Sequence, residues 1–375
     1  MSDNFFPKAE DFDEMGDHLE VIANILTNKV EIDINDWASI QKAVRTGVAP
    51  RFLPVGTQLS VNHSVYGNIQ LDVVAHDHYE AADIKGAHTM TLMCHDAIKA
   101  IRYDEPEAIY YADEELPAGT YHFFVSKDST VAGQFTLDQP LAKGGQLFIS
   151  GNPDYSIDSS DILAYDSPMS QTTPRTYDIT VGTSGLSLGT MGVELNYLGR
   201  AFYGSDNYKE SAVRQFVNSP LGAGKVWSPQ TKFDAPPEWM NVLNGFANGF
   251  SEDFLSKVGR VVVPCASNEV YESPESTVTK GQKYTVVDKF FIPSQTELFG
   301  HSTGIVEDDS SLLPFFEKAS AVDRVKYLGK ASATYWLRSA NKSAPTNLKI
   351  VLNTGELSSH SAYSKLGVVP MFNIV

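Results

Sequence analysis

The sequence predicts an α+β protein with helices near its start and short strands toward its end. Near the amino terminus, apolar residues recur at the three- and four-residue spacing of one helical stripe. Near the carboxyl terminus, short apolar runs are bounded by turn-forming residues, as strands are. Between about residue 103 and residue 190, Ser, Thr, Gly, Asp and Pro dominate, and turn signals recur roughly every ten residues. This middle segment is therefore predicted to be a small β-sandwich-like module.

The composition is typical of a globular protein. Of the 375 residues, 42% are hydrophobic and 20% are charged, which suits two or three domains. The net charge of −17 argues against nucleic-acid binding, because phosphate contacts need clustered Lys and Arg. The first twenty residues are acidic, and no apolar run reaches the roughly 20 residues of a membrane helix. We expect synthesis in a cytoplasm, without a signal peptide or membrane insertion.

The cysteine content excludes a disulfide framework. Cys94 and Cys265 are the only two cysteines, so no cysteine zinc motif is present either. We expect both thiols to be reduced.

Two helices are predicted before residue 50. The first has one apolar stripe, and the second runs from Asp36 to Thr46 and ends at Gly47. The first helix either docks on a larger assembly and bundles copies together, or packs on its own domain. Its stripe consists of Phe12, Met15, Leu19, Ile22 and Leu26.

A histidine-rich segment follows two predicted strands at 57–61 and 69–74. Four histidines fall within twenty residues, namely His76, His78, His88 and His95. Neutral imidazole is a common transition-metal ligand, so a metal site is one interpretation. The His-x-His spacing is weakly specific, and nothing nearby completes a ligand motif. A hydrogen-bonded polar cluster is the favoured alternative, and no metal site is predicted.

The second half of the chain alternates short helices and strands. Helices are predicted over 205–218, 239–250 and 252–258, strands over 261–264 and 289–293, and an acidic Ser-rich loop over 266–280. Ser294 and Glu297 have the spacing of a capping box at a helix start. The carboxylate runs at 104–105, 113–115 and 307–309 are predicted to be solvated faces.

The last 46 residues, from Lys330 on, alternate apolar strands and polar loops. Strands are predicted at 335–337 and 349–352, with loops rich in Ser, Asn, His and Tyr at 341–347 and 356–365. Such loops on a rigid scaffold suit adaptable binding contacts. The other interpretation is that they are merely solvated. Calcium ligation is not indicated, because Glu356 is the only carboxylate between Asn341 and Lys365.

Several short motifs resemble one family of phage and prophage proteins. They are Phe291-Ile-Pro-Ser-Gln-Thr-Glu-Leu-Phe-Gly300, Tyr335-Trp-Leu-Arg-Ser339 and Gly367-Val-Val-Pro370, with upstream likeness at 36–41, 52–56, 72–78 and 212–219. In that family the carboxyl-terminal domain has the C-type lectin fold. It belongs to the branch that includes formylglycine-generating enzymes and the variable proteins of diversity-generating retroelements.

The resemblance implies a domain plan. It predicts an N-terminal helical segment at 1–50, a discontinuous C-type-lectin-like domain at 51–102 and 191–375, and the inserted β module at 103–190. Trp336 would then belong to the core of the central sheet, with a ligand platform as the alternative, and Arg338 would pair with a carboxylate to lock its strand, with a surface role as the alternative. The ligand-binding residues would be the loop residues Asn341, Lys342, Thr346, Asn347, His360, Tyr363 and Lys365.

The predicted function is that of a non-catalytic virion component. It would act in a tail or capsid fibre or as a decoration, attaching to a bacterial surface receptor or glycan beside other virion proteins. A homo-oligomer is expected, a trimer by analogy with phage fibres, and no catalytic residue, metal or cofactor is predicted. The contrasting hypothesis is an enzyme, either of the formylglycine-generating branch or carbohydrate-cleaving. Oxidase chemistry in that branch uses paired cysteines, whereas Cys265 stands alone in this region.

Overall fold

The computed structural model describes residues 16, 18, 19, 32–108, 110–124, 132–137, 139–150, 161–165, 175–178, 180–182, 200, 203–270, 279–344 and 346–375. Most of the predicted stripe from Phe12 to Leu26 lies outside these residues. Within them the protein is mixed α+β, with more strand than helix.

The helices are short. In chain order they are α1 Trp37–Arg45, α2 Ala49–Phe52, α3 Ala212–Asn218, α4 Glu252–Lys257 and α5 Gln295–Phe299, with 3₁₀ turns at Phe246–Gly249, Pro314–Phe316 and Ala321–Arg324. The predicted second helix is confirmed as α1: the Asp36 carboxylate accepts hydrogen bonds from the amides of its first turn. Gly47 follows with a φ of 71°, which suits a helix stop.

The strands are numbered in chain order. They are β1 Gln58–His63, β2 Gly67–His76, β3 Met90–Cys94, β4 Lys99–Arg102, β5 Tyr110–Tyr111, β6 Gly119–Phe124, β7 Ala132–Leu137, β8 Gln146–Ser150, β9 Asp161–Tyr165, β10 Arg175–Asp178, β11 Thr180–Gly182, β12 Val258–Gly259, β13 Val261–Val270, β14 Thr279–Asp288, β15 Phe290–Phe291, β16 Lys326–Leu328, β17 Ala331–Ala333, β18 Tyr335–Ala340, β19 Asn347–Val351, β20 Leu357–Ser361, β21 Lys365–Val368 and β22 Met371–Ile374.

Two sheets carry the core. The first is antiparallel, in the order β1-β2-β3-β22-β12, with β15 also paired to β22. The second has the order β20-β19-β18-β21-β4, in which β18 and β21 run parallel. Strands from both ends of the chain thus meet in each sheet. Apolar side chains of both sheets join one buried cluster, whose largest fully buried members include Trp336, Tyr335, Phe290 and Phe372.

The middle segment forms two further antiparallel sheets. Their orders are β10-β9-β8-β5 and β11-β7-β6, so these strands pair among themselves. The two ends of the segment come together, because the Glu107 amide donates to the Arg200 carbonyl at 3.1 Å. A segment whose ends meet can be inserted into a domain without separating the strands on either side of it.

Several sequence predictions are wrong in detail. The described residues of the predicted loop at 266–280 are strand: β13 and β14 pair from Val261↔Asp288 to Val270↔Thr279, and residues 271–278 lie outside the described part. Cys265 therefore sits inside a strand rather than at its end. The predicted helix at 239–250 is a set of turns with one 3₁₀ turn, because glycines at 245 and 249 interrupt it. The helix predicted from Ser205 begins only at Ala212.

The polar stretch at 356–365 was also predicted wrongly as a loop. It contains β20, which pairs with β19 over five residues, and then the start of β21. The serines of this stretch are typical of a loop. The stretch forms a strand because it pairs with β19, which carries the apolar residues of the pair. Sequence could not show this, because strand preference depends strongly on the strand beside it.

Candidate functional site

The half-buried Tyr363 and the exposed Lys365 form one patch with two residues from distant parts of the chain. The Arg102 guanidinium lies over the Tyr363 ring, 4.6 Å from its centroid. Lys365 Nζ lies 2.5 Å from Glu238 Oε1, and both side chains are about half exposed, at 53% and 48%. We call these four residues, Arg102, Glu238, Tyr363 and Lys365, the loop face. It combines an aromatic ring with charges of both signs.

Buried backbone hydrogen bonds hold the loop face in place. The Ala362 amide donates to the Thr346 carbonyl, and the Ala362 carbonyl accepts from the Tyr103 amide, each at 2.9 Å. The Tyr363 amide donates to the Tyr203 carbonyl at 2.9 Å. Arg102 is in register with Lys365 across β4 and β21, and its guanidinium pairs with Glu105 at 2.5 Å. The exposed groups are thus mounted on fixed backbone, which lowers the entropic cost of binding.

Three other predicted ligand residues lie beside the β19–β20 pair. Asn347 is opposite Ser361, and His360 is opposite Leu348. His360 is exposed, and its Nδ1 lies 2.6 Å from Ser364 Oγ. Thr346 is only 7% exposed, so its side chain is a packing residue and the prediction that it offers a contact is not supported by its position.

The remaining two predicted residues are held by a different part of the chain. Asn341 forms an isolated bridge with Ile305, and its carbonyl accepts from Asn268 Nδ2 at 2.8 Å. The Lys342 amide donates to the Gly304 carbonyl at 3.2 Å, and the Lys342 side chain is exposed. The structure therefore divides the predicted set into separate groups, and Tyr363 and Lys365 are the members that share the loop face.

Trp336 and Arg338 are buried residues of β18. Both are 0% exposed, and Trp336 Nε1 donates to the Ile101 carbonyl at 3.0 Å. Arg338 forms a buried, two-pronged ion pair with Glu297, with Nη1 2.8 Å from Oε2. Its Nε donates to the Pro264 carbonyl, and Nη1 also donates to the Ile292 carbonyl. The carboxylate expected for Arg338 is thus Glu297, which also closes the capping box with Ser294 at the start of α5.

The four clustered histidines have separate partners. His76 Nε2 is 2.9 Å from the Leu53 carbonyl, His88 Nδ1 is 3.0 Å from Asp77, and His95 Nδ1 is 2.9 Å from buried Asp72. His78 packs edge-on against Tyr79. In the part of the chain that the structure describes, no group of three or more His, Cys, Asp or Glu side chains is placed to hold a metal ion.

A buried carboxylate cluster lies at the joint between the middle segment and the core, and sequence reasoning missed it. Arg200 Nη1 is 3.5 Å from Glu107, and Arg200 Nη2 is 3.9 Å from Glu210. Burial, followed by the charges of Asp234 and Glu107, raises the pKa of Asp104 well above its usual range. Burial also raises the pKa of Glu210 and of Asp234. Several carboxyl groups here thus share a single guanidinium.

The prediction that the runs at 104–105 and 307–309 are solvated is partly wrong. Glu105 and Asp308 are each only 5% exposed. Burial raises the pKa of both carboxyl groups. The run at 113–115 is exposed, as predicted. Glu105 pairs with Arg102, three residues before it, and Asp308 accepts a hydrogen bond from the Ser310 amide, so each buried carboxylate has a partner close in the sequence.

Both cysteines are free and buried. Burial raises the pKa of Cys94 and of Cys265 to about 12, so both thiols stay protonated at neutral pH. A buried, protonated thiol is a poor nucleophile and a poor metal ligand. This environment gives no support to cysteine-dependent oxidase chemistry at either position.

Comparison with known families gives one match. Residues 190–375 match DUF6273, a domain of unknown function. This DUF6273 segment contains α3 to α5 and β12 to β22, including Glu238, Tyr363 and Lys365 of the loop face. Arg102 lies outside it, on β4. Comparisons with curated proteins and with solved structures give no match. Among the described residues, no helix is long and apolar enough to cross a membrane.

Proposed function

We propose that this chain is a non-catalytic attachment protein that binds its ligand through the loop face. Arg102, Tyr363 and Lys365 offer a ring and two cations, and Glu238 offers an acceptor. A ligand with an apolar face and polar groups around it matches such a surface. The observation that carries the proposal is that the half-buried Tyr363 and the exposed Lys365 are fixed by backbone hydrogen bonds instead of projecting from an unsupported loop.

The biological setting that we propose rests on the sequence resemblance. A phage virion protein with a C-type-lectin-like domain would use the loop face to attach to a receptor or glycan on a bacterial surface. The mixed α+β architecture and the polar carboxyl-terminal loops are compatible with this setting. Other virion proteins and further copies of the chain would be its partners. Diversification of the carboxyl-terminal loops by a retroelement is part of the same hypothesis.

Binding of the labelled, purified protein to whole cells of candidate host bacteria tests this function. The double variant Tyr363→Ala/Lys365→Ala should lose saturable binding, because it removes the ring and the exposed cation. The matched control is Tyr327→Ala/Lys330→Ala, which removes the same residue types from another exposed surface. Saturable binding that survives in the first variant, or is lost equally in both, would contradict the proposal.

A carbohydrate-cleaving enzyme is the second candidate, favoured by the buried carboxylate cluster. Glycosidases pair a protonated carboxylic acid with an ionised carboxylate. Asp104, with its raised pKa, would be the proton donor. Incubation with isolated host cell-wall glycans should then release new reducing ends, and Asp104→Asn should abolish the release. If the wild-type chain binds the glycans without releasing reducing ends, the enzyme hypothesis fails and the attachment function stands.

A further inference from the structure

Strand β20 forms one edge of the second sheet, and the register shows which of its backbone groups face outward. The Leu352 amide donates to the Glu356 carbonyl at 2.8 Å, and the Ala362 amide donates to the Thr346 carbonyl at 2.9 Å. In an antiparallel pair, directly bonded residues alternate with residues whose amide and carbonyl point away from the partner. The outward-facing residues of β20 are therefore Leu357, Ser359 and Ser361.

This edge lacks the usual protections against pairing. Natural edge strands carry Lys or Pro or contain a bulge, which prevents another strand from adding to them. The five residues of β20 are Leu, Ser, Ser, His and Ser, and their register with β19 is unbroken. These outward-facing groups are open to a further strand. Among the described residues, no hydrogen-bond partner is found for the backbone amides and carbonyls of Leu357 and Ser359.

The surroundings of the edge are basic, in contrast to the rest of the chain. Residues 341–365 contain three lysines and one carboxylate, whereas the whole chain has a net charge of −17; Lys365 pairs with Glu238 on the loop face, which leaves Lys342 and Lys349 near the edge. Lys349 lies opposite Ser359, on the same face of the sheet. Gly304, which accepts the Lys342 amide, lies beside Lys349: a methyl group on Gly304 would be 3.2 Å from Lys349 Nζ. Neither lysine has an ion-pair partner among the described residues.

We infer that β20 is a docking edge for an extended acidic peptide segment of a partner protein. The segment would add as a further strand, bonding to the outward groups of Leu357 and Ser359, while its carboxylates approach Lys342 and Lys349. Main-chain bonds supply affinity in this mode of recognition, and side chains supply selectivity. The site is separate from the loop face, so this inference does not depend on the proposed function.

The test measures peptide binding to the full chain by fluorescence anisotropy. The probe is a labelled ten-residue peptide of alternating Glu and Val, and an otherwise identical Lys–Val peptide provides the charge comparison. The Glu–Val peptide should bind more tightly than the Lys–Val peptide. Ser359→Pro should weaken Glu–Val binding by at least about tenfold, because it removes an outward amide without breaking a bond to β19.

Strand β1 offers a matched control. Its register with β2, together with the Val73 amide donating to the Thr57 carbonyl at 2.9 Å, makes Ser60 an outward-facing serine on the edge of the other sheet. Ser60→Pro should leave Glu–Val binding unchanged. A second variant, Ser359→Glu, keeps the strand backbone intact and should also weaken binding through charge repulsion.

Amide hydrogen exchange locates the bound peptide directly. Saturating Glu–Val peptide should slow exchange at Leu357 and Ser359 and leave Ser60 unaffected. The inference is overturned if the wild-type chain does not bind the Glu–Val peptide, if both Ser359 variants bind it as well as the wild type does, or if protection appears elsewhere. Loss of cell binding in the loop-face variant with normal peptide binding would separate the two sites.

Discussion

The Arg338–Glu297 ion pair lies where β13, β18 and α5 meet, and both side chains are 0% exposed. Burying this ion pair is tolerated because both charged groups are hydrogen-bonded. Glu297 also accepts from the Ser294 amide at 2.8 Å and from the Tyr79 hydroxyl at 2.5 Å. The guanidinium outweighs burial and lowers the pKa of Glu297, so the carboxylate stays charged. This one ion pair thus holds β13, β18 and α5 together.

Removing one partner should strongly destabilise the protein. Arg338→Leu leaves the Glu297 carboxylate buried without its counter-charge, and we expect a loss of about 3–5 kcal/mol in the free energy of unfolding. The matched control is Arg260→Leu, because Arg260 pairs with Asp83 at an exposed site, with 54% and 51% of the side chains accessible. That change should cost far less, because solvent screens an exposed ion pair. Urea denaturation measures both, and equal losses would contradict the argument.

A buried histidine makes stability depend on pH. His63 Nδ1 accepts from the amides of Val65 and Tyr66, each at 3.1 Å, so Nε2 carries the proton and donates to the Phe246 carbonyl at 2.8 Å. This arrangement requires neutral imidazole, and burial lowers the pKa of His63 despite the bond to Phe246. Below about pH 6.5 the unfolded chain therefore binds the proton more readily than the folded chain does.

We predict that His63 contributes a fall in the free energy of unfolding as the pH drops from 7 to 5. That contribution should disappear in His63→Gln, which removes this proton-binding group. Burial lowers the pKa of His76 and His78 as well, which adds a dependence of the same sign, whereas buried carboxyl groups with a raised pKa, such as Asp104 and Glu210, contribute with the opposite sign. Urea unfolding at several pH values measures the slope. An identical slope in His63→Gln would mean that His63 does not contribute.

At the scale of elements, the turn between β19 and β20 packs against the 3₁₀ turn at Ala321–Arg324. Gly355 has a φ of 85°, and a methyl group there would lie 1.7 Å from the Ala321 carbonyl oxygen. Two separate requirements thus favour glycine at this position: the left-handed backbone and the close approach of another backbone. The β19–β20 turn is fixed by tertiary contact as well as by its own sequence.

The two requirements can be separated by experiment. Gly355→Ala should reduce the free energy of unfolding by clearly more than Gly56→Ala. Gly56 has a similar φ of 94° but nothing within 4 Å of its added methyl group, so it reports the backbone strain alone, about 1–2 kcal/mol. Thermal unfolding compares the two variants. Equal losses would show that the carbonyl at Ala321 can move aside.

At the scale of the whole molecule, strands from both ends of the chain complete each core sheet. The middle segment leaves and returns at the Glu107–Arg200 backbone bond, and its strands pair among themselves. The contacts that it makes with the core include Gln146 Nε2 donating to the Lys232 carbonyl at 2.8 Å. A chain organised in this way can lose the segment without losing the pairing in either core sheet.

We therefore predict that replacing residues 110–199 with a short Gly-Ser linker leaves a folded protein. The two core sheets should form as before, with some loss of stability from the contacts around Lys232 and Asp234. Circular dichroism and thermal unfolding measure the outcome, with the full chain as the reference. If the shortened chain shows no cooperative transition, the segment is part of the core and the predicted domain plan is wrong.

The sequence by itself determined the local features. Apolar spacing gave α1 and the strand pair β1–β2, and turn chemistry gave the stop at Gly47 and the capping box at Ser294, because these depend on neighbours within a few residues. The family resemblance also implied that Trp336 is buried and that Arg338 pairs with a carboxylate. Tertiary structure alone decided that Glu297 is that carboxylate, that the serines of β20 form a sheet edge, and that Arg102 and Glu238 join Tyr363 and Lys365. Those contacts join residues far apart in the chain, so only the folded backbone brings them together.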